Sequence, residues 1–315
     1  MVDVFGFAAG AGGDALRDAA IVAGYQLGVF DGVARTLGQI AEANGIGKGR
    51  RRMRPLLDLL IGLGHLARDG ERVVVADIPA PREVPHAGWG LMVDLFRSDK
   101  ALPGEAGEVE HRYHEHLKVV GAPVAAELAQ LIRGASLVDL GCGAGTYTAA
   151  FLDAYPEARA TGVDLREVVP LAKAFLARFG DRVQLIGDDI STVHGRDLYE
   201  VALLANVMHL HAPSSCQTYI DRAARLLVPG GKLVLKDLRL DEDRSGPMAS
   251  LMFALNMAIY TDGGDVYPTT QLRAWCAAAR LEAIEEHRLE SSPASIVIVA
   301  YKPRAASADE RLGLE

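Results

Sequence analysis

The chain of 315 residues has only three cysteines, Cys142, Cys216 and Cys276, and no CxxC pair. That spacing excludes a disulfide framework and a cysteine-built zinc site, and it fits a reducing, cytoplasmic setting. Positive charge is also short, with 33 lysines and arginines against 41 aspartates and glutamates for a net charge of −8. A nucleic-acid partner needs a cationic face against the phosphates, so that class is disfavoured and only a local basic patch is left to consider. Apolar runs of membrane-spanning length are absent, and the N-terminus opens on Asp3 and glycines in place of a basic segment followed by an apolar one. Neither a membrane partner nor a secretory signal is expected. Apolar material is plentiful: half of the residues are hydrophobic, enough for two packed cores joined by a connecting region.

From Asp14 to about Ala76 the pattern is three short helices followed by a two-stranded wing. Apolar residues recur at helical spacing through Ala19–Ala23 and Leu27–Phe30. Thr36 to Gly45 reads as a capped helix ended by Asn44-Gly45, and Met53 to Gly64 as the next one. Arg68-Asp-Gly70 then turns into the β-ribbon of Val73-Val74-Val75. This is winged-helix grammar. The run Lys48-Gly-Arg-Arg-Arg-Met-Arg54 either approaches DNA phosphates or is a solvated turn before a helix. In so acidic a chain, burial of the apolar faces against a second copy is preferred to DNA binding. Pro79, Pro81 and Pro85 mark a linker, and helical segments are expected from Trp89 to about Gly134.

From Ser136 onward the period changes. Leu137–Leu140, Ala160–Asp164, Val183–Ile186, Val201–Leu204 and Lys232–Lys236 are short apolar strands separated by helical segments, the grammar of a parallel α/β sheet. Two last strands, near Leu281–His287 and Ser295–Tyr301, meet at a turn of Ser291-Ser292-Pro293 and predict a closing antiparallel hairpin, seven strands in all.

The most informative stretch is Val138-Asp-Leu-Gly-Cys-Gly-Ala-Gly-Thr146, where a strand runs into alternate glycines and then a helix. Glycines at the carboxyl end of a first parallel strand let the backbone approach a ligand within contact distance. The spacing Gly141-x-Gly143-x-Gly145 is one residue shorter than the dinucleotide fingerprint, which argues against a pyrophosphate. Asp164 ends the second strand, where a carboxylate can accept both hydroxyls of a ribose; a plain strand-end turn is the alternative. Asp188, after the third strand, is placed to accept an adenine amino group, or else caps a helix. Three such signals at successive strand ends specify an adenosyl ligand.

On these residues, and on Leu27-Gly-Val-Phe30, Leu226-Leu-Val-Pro-Gly-Gly231 and Gly263-Gly264 before a helix at Thr270–Ala279, the stretch 14–303 resembles the class I methyltransferases with an N-terminal dimerisation domain, which include bacterial and plant O-methyltransferases. The resemblance implies a Rossmann-like seven-stranded methyltransferase sheet carrying a mainly α winged-helix dimerisation domain. The implied division is 1–80 for dimerisation, 81–135 for the linker and connecting helices, 136–303 for the S-adenosylmethionine-binding catalytic domain, and 304–315 for a tail. It also implies a homodimer, a small-molecule acceptor, a place in secondary metabolism, and S-adenosyl-L-homocysteine as product. In its terms Gly141, Gly143 and Gly145 hold the methionine portion of the cofactor, and Asp164 with Leu165 hold ribose and adenine. Asp188 with Asp189 hold the adenine amine and ring, Asp139 acts from below the glycine turn, and Asn206 completes the cofactor set. A lysine that often contacts the cofactor in the family corresponds to Ala205.

Methyl transfer is an in-line displacement, so the protein has mainly to align the acceptor and manage its proton. The resemblance makes His209, in Asn206-Val-Met-His209, the general base, a role suited to an imidazole near neutral pH; the alternative is a histidine packed under a loop. Two carboxylates that accompany the base in the family are replaced by Leu210 and Val266, with Asp237 and His211 as substitute partners, so the expectation is either a weaker base or an easily ionised acceptor such as an acidic phenol, a thiol or an activated carbon. Tyr113, His116 and Met208, together with Met252, Asn256, Met257 and Tyr260 on an apolar segment, are the implied walls of a pocket for an aromatic or polyketide-like acceptor; plain core packing is the alternative for the methionines. His111 and His114 share a helix face, but two local ligands do not make a metal site, and no metal is expected. The expectation is O-directed transfer. The rivals are C-, N- or S-methylation, or a non-catalytic DNA-binding regulator that senses an adenosyl ligand.

Overall fold

A computed structural model describes residues 11–83, 91–102 and 121–304. In chain order the first elements are α1 (Ala11–Gln26), β1 (Arg35–Thr36), α2 (Leu37–Ala43), α3 (Arg50–Gly62), β2 (Leu66–Asp69), β3 (Arg72–Val75) and α4 (Met92–Ser98). Residues 121–131 are helical (α5). There follow β4 (Ser136–Leu140), α6 (Thr146–Ala154), β5 (Arg159–Asp164), α7 (Val169–Leu176), β6 (Val183–Gly187) and β7 (Tyr199–Ala205). The chain closes with α8 (Pro213–Leu226), β8 (Leu227–Leu238), α9 (Met248–Tyr260), α10 (Thr269–Ala278), β9 (Glu282–Leu289) and β10 (Ser292–Tyr301). The described residues fall into two compact units, one within 1–113, 208–212 and 238–269, the other within 114–207, 213–237 and 270–315.

The first unit begins as its sequence pattern suggests. Thr36 and Gln39 make the reciprocal capping box that starts α2, the Thr36 hydroxyl accepting from the Gln39 amide and the Gln39 side chain accepting from the Thr36 amide. Leu66–Asp69 pairs antiparallel with Arg72–Val75 around Gly70. Arg35 and Thr36 add a short third strand that the sequence pattern did not reveal, because two residues show no alternation. Helix α9 is buried continuously from Ser250 to Ile259, as expected of a helix apolar on every side. It packs on α3, where Gly62 leaves room for Leu251. The basic run before α3 is used inside this unit. Arg52 is 1% exposed and donates to the carbonyls of Ala258 and Thr261 at 2.7 Å each and to Asp99, closing the end of α9. Arg51 bonds the carbonyl of Asp262 and lies 3.3 Å from Asp99.

The second unit is built on a seven-stranded sheet of order β6-β5-β4-β7-β8-β10-β9. The first five strands in that order are parallel neighbours, and β9 and β10 form the antiparallel pair. Leu137, Val138, Val201–Leu204, Leu233–Leu235 and Ile296–Val299 are buried, the near-continuous apolar runs of strands covered on both faces. Leu128, Phe151, Leu152 and Leu176 from the flanking helices, with Ile132 just after α5, join this core. Two boundaries differ from the sequence reading. β10 starts at Ser292, three residues early, because Ser292 already pairs with Leu289 across a tight turn. β8 continues past Lys236 to Leu238, so Lys236 lies inside a strand and not at its end. Among the described residues no helix is long and apolar enough to cross a membrane.

Candidate active site

In the second unit three strand ends are tied together by hydrogen bonds. The amides of Gly141 and Cys142 both donate to the carbonyl of Val163 on β5, at 2.8 and 3.0 Å. The amide of Gly143 donates to Asp164 Oδ2 at 2.7 Å, and that of Leu165 to Asp164 Oδ1 at 2.8 Å. The amide of Asp188 in turn donates to the carbonyl of Asp164 at 2.9 Å. Gly143, Asp164 and Asp188, picked from the sequence as separate signals, therefore share one rim. Leu165 is exposed beside them. Asp189 Oδ1 accepts the Ser191 amide, and the Thr192 hydroxyl and Asp189 amide hold the Asp188 carboxyl below the usual carboxylate range.

The three glycines of the turn have positive φ, +81°, +54° and +84°, a region that side chains rarely enter. They are glycines for different reasons. A Cβ on Gly141 would collide with Val207 and one on Gly145 with Leu176, whereas one on Gly143 would meet nothing within 4 Å. Gly141 and Gly145 are fixed by packing, and Gly143 borders open space. A bare backbone facing open space with an aspartate beside it fits the aminoacyl and ribose portions of an adenosyl ligand. Asp139 lies beneath the turn, buried, with its Oδ2 accepting from the Thr148 hydroxyl at 2.6 Å. Burial, reinforced by the Asp164 charge, pushes its carboxyl up to about 7, against the lowering by Thr148.

Sequence reasoning found Asn206 but missed its partners. Asn206 has φ +60°, a conformation that asparagine tolerates better than most residues. Its amide donates to the carbonyl of Lys236 at 2.8 Å, its Oδ1 accepts from Lys236 Nζ at 2.6 Å, and its Nδ2 donates to the Tyr147 hydroxyl at 3.2 Å. Lys236 is 2% exposed, and burial pulls its ammonium down to about 8 despite the nearby Asp237. Burial raises the Tyr147 hydroxyl to about 12. The signal available was a lysine within the apolar run Leu233–Leu238.

In the first unit His209 sits in a short 3-10 turn, Met208–Leu210, and is buried. Its ring meets Phe253 of α9 edge-on, with centroids 4.8 Å apart and an interplanar angle of 78°. The carbonyl of His209 accepts from the Asp265 amide at 3.1 Å, and a Cβ on Gly264 would overlap that carbonyl. One on Gly263 would strike Ala212. The Gly263-Gly264 pair thus lets its loop press directly on the histidine turn. The carbonyl of His211 accepts from the Tyr267 hydroxyl at 2.5 Å. Met208, Met252, Asn256 and Met257 are buried and Tyr260 is half-buried, all in this same unit. Tyr113, His116 and the neighbouring His111 and His114 lie outside the described residues, and among those described there is no cluster of three metal-ligating side chains.

Residues 86–273 match the family model of the O-methyltransferase domain. The chain belongs to this O-methyltransferase family. It is similar to the tetracenomycin polyketide synthesis 8-O-methyl transferase TcmO of Streptomyces glaucescens, 26% identical over 90% of this chain and 93% of that one. Among solved structures it is similar to an O-methyltransferase family 2 protein from Planctomyces limnophilus in complex with apigenin, with TM-score 0.72, 20% identity and coverage of 91% and 92%. It is also similar to human N-acetylserotonin methyltransferase in complex with SAM, with TM-score 0.59, 19% identity and coverage of 96% and 99%.

In this O-methyltransferase the loop at Val266 carries a carboxylate that is engaged in packing. The carboxylate next to Val266, Asp265, turns to Arg244, which donates to its two oxygens at 2.8 and 3.0 Å and to the Val266 carbonyl at 3.1 Å. Arg244 also donates to Asp58 Oδ2 at 2.5 Å, and Arg68 bonds the other oxygen of Asp58. The acid in this loop serves the packing of α3.

Proposed function

We propose that this O-methyltransferase moves the methyl group of S-adenosylmethionine to a hydroxyl of a small polyketide-like or aromatic acceptor. The observation that carries this reading is the shared rim of Gly143, Asp164 and Asp188, with open space over Gly143, in a chain of this family. When bound, S-adenosylmethionine supplies an electrophilic methyl carbon and departs as neutral S-adenosylhomocysteine. Gly141, Gly143 and Gly145 cradle its aminoacyl end, Asp164 accepts from the ribose hydroxyls, and Leu165, Asp188 and Asp189 bracket the adenine. Asp139 and the Lys236-Asn206-Tyr147 chain support this wall from within. His209 takes the acceptor's hydroxyl proton as the new C–O bond forms and the C–S bond breaks, and then releases it to solvent. Met208, Met252, Asn256, Met257 and Tyr260, with Tyr113 and His116, wall the acceptor. A polyketide-pathway relative and an apigenin-bound structural neighbour support the acceptor class, and a SAM-bound one supports the donor.

Calorimetric titration tests the donor site. Asp164→Ala removes a charged acceptor of two hydroxyls and should weaken S-adenosylhomocysteine binding by roughly ten- to a hundredfold; unchanged affinity overturns the assignment.

The same reading takes residues 1–80 as a winged-helix dimerisation domain, 81–135 as connector and 136–303 as the catalytic domain, working in secondary metabolism in a reducing cytoplasm. Tyr25, Val33 and Ile78 are large apolar residues left exposed in that first stretch, and a homodimer through it would cover them. Sedimentation of wild type should give twice the chain mass, and Val33→Asp with Ile78→Asp should give the monomer. A monomeric wild type removes the claim.

A further inference from the structure

Helix α1 turns Asp14, Arg17, Asp18 and Ile21 to a cavity of about 390 Å³ in the first unit. Steps of three, one and three residues put these four on one helix face. Leu63 and His65, just beyond α3, and Arg82 complete the wall. The segment 79–82 runs back beside α1, tied at one end by the Tyr25 hydroxyl on the Pro79 carbonyl and at the other by Arg82, whose Nε is 3.3 Å from Asp18 Oδ1. Five of the seven wall residues are ionisable, so the space suits a polar occupant, whereas voids that stay dry are lined by apolar side chains. The wall is short of acceptors. Arg17 Nε and His65 Nδ1 are both buried without a hydrogen-bond partner. Arg17 spends one N–H, on Asp14 at 3.1 Å, and His65 Nδ1 stays 3.6 Å from Asp77 Oδ2, beyond hydrogen-bond reach. Each such nitrogen costs stability until an acceptor meets it. Asp14 and Asp18 do not answer that need: each already faces an arginine, Arg17 and Arg82, so the four charges balance and no cation is called for.

We propose that this cavity binds a small organic monocarboxylate, with Arg17 and His65 on the carboxylate and Ile21 and Leu63 against its apolar part. A carboxylate brings two acceptor oxygens and favours the imidazole form whose Nδ1 carries the proton. The buried Ile21 and half-buried Leu63 offer an apolar surface beside it. None of these residues belongs to the cofactor or acceptor sets, so the site is a second one and does not depend on the transferase reading. Anything bound there adds to the ties between α1 and the segment 79–82, and occupancy raises the thermal midpoint of the protein.

The test is calorimetric titration of the full-length protein with benzoate, with benzamide and with inorganic phosphate. Wild type should bind benzoate about ten- to a hundredfold tighter than benzamide, which keeps the ring and the shape but not the charge. It should prefer benzoate to phosphate by about tenfold, because phosphate has no apolar part to bury on Ile21 and Leu63. Arg17→Met and His65→Phe should each weaken benzoate binding about tenfold and leave S-adenosylhomocysteine binding unchanged. Arg17→Lys, which keeps the charge and loses the Nε donor, should weaken it less and stands in if Arg17→Met fails to fold. Benzoate bound equally by wild type and variants, or by none of them, overturns the proposal. Phosphate bound as tightly as benzoate overturns the choice of a monocarboxylate.

Discussion

With His209 as the proposed general base, His209→Ala should lower kcat by roughly a hundred- to ten-thousandfold, the range spanned by loss of a positioned base, and leave S-adenosylhomocysteine affinity within about twofold. The size of the effect follows from how firmly the imidazole is held. Its turn is pinned at the carbonyl by the Asp265 amide, the Gly263-Gly264 loop presses on it from one side, and its ring rests edge-on against Phe253. A base held in one orientation has lost little further entropy by the time of proton transfer, so removing it forfeits the whole advantage. Acceptor acidity separates this role from a packing role. An acidic phenol arrives largely ionised and needs no base, so the deficit of His209→Ala should shrink as acceptor pKa falls. A histidine that only supports Phe253 would produce the same deficit for every acceptor, and that flat profile, measured with a series of substituted phenols, would remove the base assignment.

Parts of the site were legible in the sequence because their causes are local. The glycine turn, Asp164 and Asp188 each follow a short apolar strand, and the chain direction of a parallel sheet sends all such ends to one edge. The hairpin and the capped helix α2 were legible for the same reason. The misses have long-range causes. Lys236 looked like the end of its strand, and its partner Asn206 is thirty residues away, so nothing nearby signalled a buried ammonium. Arg52 looked like one cation in a basic run facing solvent or DNA; only its carbonyl partners more than two hundred residues later show it to be a helix-closing residue of the interior. A contiguous reading also had no means of assigning 238–269 to the same compact unit as the N-terminal helices. The continuous apolarity of α9 indicated that it must be buried, but not against which partner.

That partner accounts for the second large effect, in stability. Asp58 of α3 lies between Arg68 and Arg244, and Arg244 lies between Asp58 and Asp265. Asp58 and Arg244 are both buried. Taking such charges from water is expensive and is offset only by close pairing, so removing one member leaves its partners inside without compensation. Arg244→Met should cost about 3 kcal/mol, at the lower end of the range for broken buried pairs because Arg68 stays on Asp58. Asp58→Leu should also cost about 3 kcal/mol, since Arg244 keeps Asp265 and the released Arg68 is part-exposed. The double variant Asp58→Leu with Arg244→Met should recover much of the loss, as two apolar side chains can replace a buried pair at little net cost. Denaturant midpoints of the four proteins provide the cycle. Additive losses would mean that Asp58 and Arg244 act independently and that the pair does not fasten the segment preceding α9 to α3. Recovery of stability in the double variant without recovery of kcat would show that the ion pair also sets the position of the Asp265 loop, whose amide holds the His209 turn.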